Sequence, residues 1–106
     1  MRVATGLVLL GLGAATPALA QPEPGDVRAG QRLATTWCAN CHQIAVGGPG
    51  SANDAAPPFP AVAQMVSTTS MSLRVFLQSP HGNMPDYRLS REQIDDVVAY
   101  ILSLRR

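Results

Sequence analysis

Cys38-Ala39-Asn40-Cys41-His42 holds both cysteines of the 106-residue chain, and the reading of these five residues decides the rest. Two thiols three positions apart on a helical turn point the same way. They can add as thioethers to the two vinyl groups of one haem, and the next residue then delivers an imidazole beneath the iron. C-x-x-C-H is the attachment spacing of a c-type haem. Three rival chemistries use the same cysteines. A thioredoxin-like redox pair wants a βαβ setting, which the pattern does not offer. A zinc site wants further Cys or His ligands, and only His81 remains to supply one. A disulfide between Cys38 and Cys41 closes so small a loop that it stabilises little.

Upstream, Gly30, Leu33, Ala34 and Trp37 recur at helical spacing along one face up to the cysteines, with Asp26 placed to cap the helix. Residues 21–25 form a Pro/Gly-rich leader, expected to be flexible because Pro22 and Pro24 suit neither a ladder nor a helix interior. Before it, Arg2, an apolar run from Val3 to Ala15 and the exit Ala18-Leu19-Ala20 read as a secretory signal peptide over residues 1–20. Thirteen apolar residues span about 20 Å as a helix, too little for a hydrocarbon layer of about 30 Å, so a membrane anchor is disfavoured. The short positive end, leucine-rich middle and Ala-x-Ala exit suit bacterial export, and the expected location is the periplasm.

Removing 20 residues from 106 leaves 86, which allows one domain over residues 26–106 and a hydrophobic core that a cofactor would usefully supplement. Without Arg2, seven Arg face seven acidic residues, and there is no Lys. No basic stripe exists to bind nucleic acid or an anionic membrane.

Downstream, residues 43–60 carry Gly47-Gly48-Pro49-Gly50 and Pro57-Pro58-Phe59-Pro60 without periodicity. A loop this long is expected to wrap something that supplies its missing core. Ala61 to Val66 is expected to form a short helical turn. Ser70 is expected to cap a helix with Leu73, Phe76 and Leu77 on one face, ending at Pro80. His81-Gly82-Asn83-Met84-Pro85-Asp86 is a second irregular connection. Ser90 with Gln93 makes a capping box, after which Ile94, Val97, Val98, Ile101 and Leu102 follow a helical repeat; Arg105 and Arg106 complement its C-terminal dipole. The expected fold class is all-α: three main helices with long loops around one covalently bound haem.

These features resemble the class I cytochromes c over nearly all of the chain after the signal. The resemblance rests on the Gly-containing helix before Cys38-Ala39-Asn40-Cys41-His42, the Ala56-Pro57 segment, the Asn83-Met84-Pro85 loop and the closing helix from Leu89-Ser90 to Leu104 with Tyr100 inside it. It implies that the first and last helices cross beside the haem with Gly30 meeting Tyr100. It further implies His42 as proximal ligand and the Pro57 carbonyl as partner of the other imidazole nitrogen, with Pro58 the competing register. Met84 is the implied distal ligand. Met65 and Met71, in or beside apolar helical segments, read as core filler, and His81 as an exposed loop residue.

Trp37, Phe59, Val62, Leu73, Phe76, Leu77, Val98 and Ile101 are the expected haem-facing side chains; Arg74, Tyr87, Arg88 and the Trp37 indole are candidate propionate partners. His/Met ligation raises the reduction potential and suits a monohaem electron carrier, not an enzyme. Expected partners are redox proteins: a dehydrogenase, an oxidase or another cytochrome. Two alternatives are a haem subunit bound permanently to a periplasmic dehydrogenase and an open-site haem protein that binds gas ligands.

Overall fold

The computed structural model describes residues 13–19, 21–51, 54–79 and 82–106, and among these there are helices but no strand. The apolar run of the signal reading before Gly13, together with Ala20, Pro80 and His81, lies outside the described residues. Four α-helices appear where three main ones and a short turn were expected: α1 Val27–Leu33, α2 Phe59–Gln64, α3 Ser70–Gln78 and α4 Arg91–Ser103. Among the described residues no helix is long and apolar enough to cross a membrane.

Helix α1 starts where Asp26 accepts the N–H of Ala29 at 2.7 Å, an N-cap that satisfies one of the helix's orphan donors. It does not end at Leu33. Ala34–Cys38 continues it as a π-helical segment, closed by the Ala39 N–H on the Ala34 carbonyl at 2.9 Å. The wider turn changes the angular register of everything that follows, and so helps to aim Cys38.

The core is built where α1 crosses α4. A side chain on Gly30 would put its Cβ 1.9 Å from the Asp96 carbonyl oxygen and 2.8 Å from the Tyr100 Cβ. Only glycine allows that approach. Val97 and Val98 are fully buried, and Ala34, Cys38, Phe59, Ala63, Leu73, Ile94, Tyr100 and Ile101 complete the cluster. Helix α4 reaches this position through the expected capping box, Gln93 N–H to Ser90 Oγ at 3.1 Å and Ser90 N–H to Gln93 Oε1 at 2.8 Å.

Three local expectations change. Helix α2 begins at Phe59, two residues early, because Pro58 takes an extended conformation and Pro60 sits in the first turn, where its missing N–H is not needed. Thr69, not Ser70, caps α3, in a reciprocal box with Ser72. The Ser70 hydroxyl instead donates to Glu23 at 2.8 Å. Arg105 does more than face a dipole: its guanidinium donates to the Ala63 and Thr68 carbonyls at 2.9 and 2.6 Å, which fastens the end of α4 over the α2–α3 connection.

Residues 21–26 contact the body at several points. Glu23 lies 3.4 Å from Arg74, which also pairs with Asp95 at 2.8 Å. The Asp26 N–H donates to Asp96 at 2.7 Å, and Gly25 packs against the Asp95 backbone.

Candidate functional site

A cavity of about 450 Å³ opens between the end of the π segment, the Pro-rich loop, α2, α3 and residues 82–87. Cys38, Cys41, His42 and Met84 all lie on its wall, as does Pro57. Most of the remaining wall is apolar: Phe59, Val62, Leu73, Phe76, Leu77 and Ile101.

Each of these groups has a local reason for its position. Behind the π segment the chain makes one further turn, with the N–H groups of Cys41 and His42 both directed to the Cys38 carbonyl at 3.1 and 2.8 Å. That turn brings both thiols to one side. Before a thioether forms, burial pushes the Cys38 thiol up to about 11, which keeps it protonated near pH 7. The Ser51 hydroxyl donates to the Cys41 carbonyl, joining the motif to the loop that follows.

His42 is positioned by two neighbours. Its Nδ1 lies 2.7 Å from the Pro57 carbonyl oxygen, the geometry of a ring N–H donating to a carbonyl. In that tautomer Nε2 keeps the lone pair a metal needs. The Phe59 ring packs against the imidazole at a centroid separation of 5.1 Å. The pairing with Pro57 has a scaffold of its own: the Phe59 N–H donates to the Gln43 carbonyl at 2.8 Å, so the chain just after His42 and the chain just after Pro58 are tied. One residue further on, the Tyr100 hydroxyl donates to the Ile44 carbonyl at 2.8 Å and fixes the whole segment to α4.

Met84 enters the cavity from residues 82–90, which carry no regular structure. Gly82 opens this stretch at φ +49°, a left-handed conformation that favours glycine. Trp37 and Tyr87, also on the wall, pack ring to ring with centroids 5.2 Å apart.

Several other expected residues fall elsewhere. Met65 and Met71 do not line the cavity and are largely exposed, so neither fills the core. Val98 is fully buried and does not line the cavity. Arg74 is committed to Glu23 and Asp95, and neither it nor Arg88 lines the cavity. Sequence reasoning missed the Tyr100–Ile44 and Ser51–Cys41 hydrogen bonds, whose partners are far apart or backbone atoms. The buried tyrosine within an apolar repeat was the one available signal for the first.

The cavity fits a flat, mainly apolar macrocycle with a central metal. Its volume falls among those of small-molecule sites, its walls are apolar, and it carries two thiols, an imidazole with a fixed tautomer and a thioether.

The comparisons with known proteins agree with this chemistry. Residues 27–105 match the model of the family described as Cytochrome c. The chain is 40% identical over 99 residues to cytochrome c-552 of Bradyrhizobium diazoefficiens, an alignment that covers 93% of this chain and 90% of that protein. No solved structure matches at a significant level. The all-helical fold, the C-x-x-C-H cavity and these matches place the chain in the cytochrome c family, as a class I c-type cytochrome: an electron-transfer haem protein whose haem c is covalently bound.

Proposed function

We propose that the chain is an exported, periplasmic monohaem electron carrier, its haem attached through Cys38 and Cys41 and ligated axially by His42 and Met84. The observation that carries this reading is the meeting of all four groups on one cavity wall, with the His42 Nδ1 on the Pro57 carbonyl. When bound, haem iron supplies a reversible one-electron couple between the ferrous and ferric states.

The chain's own residues set the terms of that exchange. Donation from the His42 Nδ1–H to Pro57 fixes the ring and makes the ligand more basic, which favours ferric iron. The Met84 thioether acts the other way and raises the potential. Phe59, Val62, Leu73 and Ile101 keep water from the site, which disfavours the more highly charged oxidation state. With two protein ligands kept in both states, little has to move as the electron does.

Gly82 and Asn83 reach from the cavity wall to an exposed surface, and we read this edge as the docking face for redox partners. Its small uncharged residues, and the formal neutrality of the chain after the signal, favour brief docking without strong electrostatic steering.

Export of the full chain in a host with cytochrome c assembly machinery tests the reading. The expected product is a periplasmic protein starting at Gln21, with haem that survives denaturation; Cys38→Ala/Cys41→Ala should lose that covalent haem. A protein with no covalent haem would overturn the proposal, and copurification with a larger redox enzyme would replace the free carrier by a permanent subunit.

A further inference from the structure

Within the loop that carries Met84, the Tyr87 N–H donates to the Pro85 carbonyl at 3.0 Å and the Leu89 N–H to the Tyr87 carbonyl at 2.7 Å. Downstream the loop is anchored at Leu89, which packs on the core, and at the Ser90 cap of α4. Those anchors lie five and six residues beyond Met84.

A contact that does cross to another element lies between these points. The Tyr87 ring, three residues after Met84, packs on the Trp37 ring at a centroid separation of 5.2 Å and an interplanar angle of 48°. Trp37 is the residue immediately before Cys38, in the π segment. The ring pair thus joins the Met84 loop to the segment that carries Cys38.

From this geometry we infer that Trp37 and Tyr87 form an aromatic tie that holds the Met84 loop against the segment carrying Cys38, and so positions the Met84 thioether. Both are positioning residues, and the inference rests on the reading of Met84 as axial ligand. An aromatic pair of this geometry shifts an open–closed equilibrium by about two- to tenfold. Loss of either ring should raise the population in which Met84 has left the iron by that factor.

Carbon monoxide reads that population, because it binds ferrous iron only where Met84 has dissociated. The holoprotein, Met84→Ala, Trp37→Leu, Tyr87→Leu, Tyr87→Phe and Trp37→Leu/Tyr87→Leu are mixed with low carbon monoxide and the combination rate is followed. Tyr87→Leu and Trp37→Leu should each combine about two- to tenfold faster than wild type. The double variant should be no faster than the faster single, and Tyr87→Phe, which keeps the ring, should stay near wild type. If Trp37→Leu yields no holoprotein, Tyr87→Leu against Tyr87→Phe carries the same contrast.

The two ways of failing are distinguishable. A wild type that combines as fast as Met84→Ala overturns the ligation reading and the tie with it. A fast Met84→Ala with Tyr87→Leu at the wild-type rate, or a double variant whose increase is the product of the two singles, overturns the tie alone.

Discussion

The Nδ1 of His42 lies 2.7 Å from the carbonyl oxygen of Pro57, and the two are held in register by the hydrogen bond from the Phe59 N–H to the Gln43 carbonyl. Proline suits this position because its ring restricts the backbone that aims the carbonyl. Pro57→Ala keeps the carbonyl but frees the chain. It should cost about 1 kcal/mol of stability, chiefly through the unfolded state, and raise the reduction potential as the imidazole loses basicity. Redox titration beside denaturant unfolding checks both; a lowered potential would contradict the role given to this hydrogen bond.

Gly30 stands where α1 meets α4. A Cβ there would fall 1.9 Å from the Asp96 carbonyl oxygen, so Gly30→Ala forces the helices apart and should destabilise by about 3 kcal/mol. Heat unfolding of the holoprotein measures this. A variant as stable as wild type would mean that the crossing is looser than the structure has it.

Tyr100 joins α4 to the segment after His42 through its hydroxyl on Ile44, and Tyr100→Phe should cost about 1 kcal/mol. Burial pushes the Tyr100 phenol above its ordinary range. In the unfolded chain it ionises near about pH 10, whereas in the folded protein it stays protonated to higher pH. Its contribution is therefore complete below that pH and is lost as pH rises through the folded value. Tyr100→Phe should show a shallower loss of stability at alkaline pH than wild type; equal slopes would remove the assignment.

Electron exchange with a small neutral protein partner should fall by less than about threefold as ionic strength rises from about 0.02 to about 0.3 M. Stopped-flow kinetics checks this. A steep decline would point to a charged docking face that a chain without Lys, and of formal net charge +1, does not suggest.

What could be read from the sequence follows physical range. The C-x-x-C-H motif and the Ser90–Gln93 box are local, and their spacing alone carries their geometry. The repeat from Ile94 to Leu102 specified one buried helix face in the same way, and Gly30 with Tyr100 marked the crossing through the family resemblance. The π segment at Ala34–Cys38 was not legible, because the residues between α1 and the cysteines suit an α-turn equally well. Thr69 and Ser70 are both good caps, and the choice between them lies in a contact with Ser72 and another with Glu23, 47 residues away. Arg74 reads from the sequence as a candidate propionate partner, yet its carboxylate partners are 51 and 21 positions distant. Trp37 and Tyr87 both read as candidate propionate partners, but no pattern in the chain announces that their rings touch.

The central claim is that iron sits between His42 and Met84, and the visible spectrum tests it most directly. Oxidised and reduced spectra, an alkaline pyridine haemochrome and the weak long-wavelength band of ferric thioether ligation are recorded for wild type and Met84→Ala. Covalent c-type haem in both proteins, with the band present in wild type and lost in Met84→Ala, is the predicted result. Covalent haem whose band survives in Met84→Ala would contradict it and return the sixth position to another thioether, Met65 or Met71.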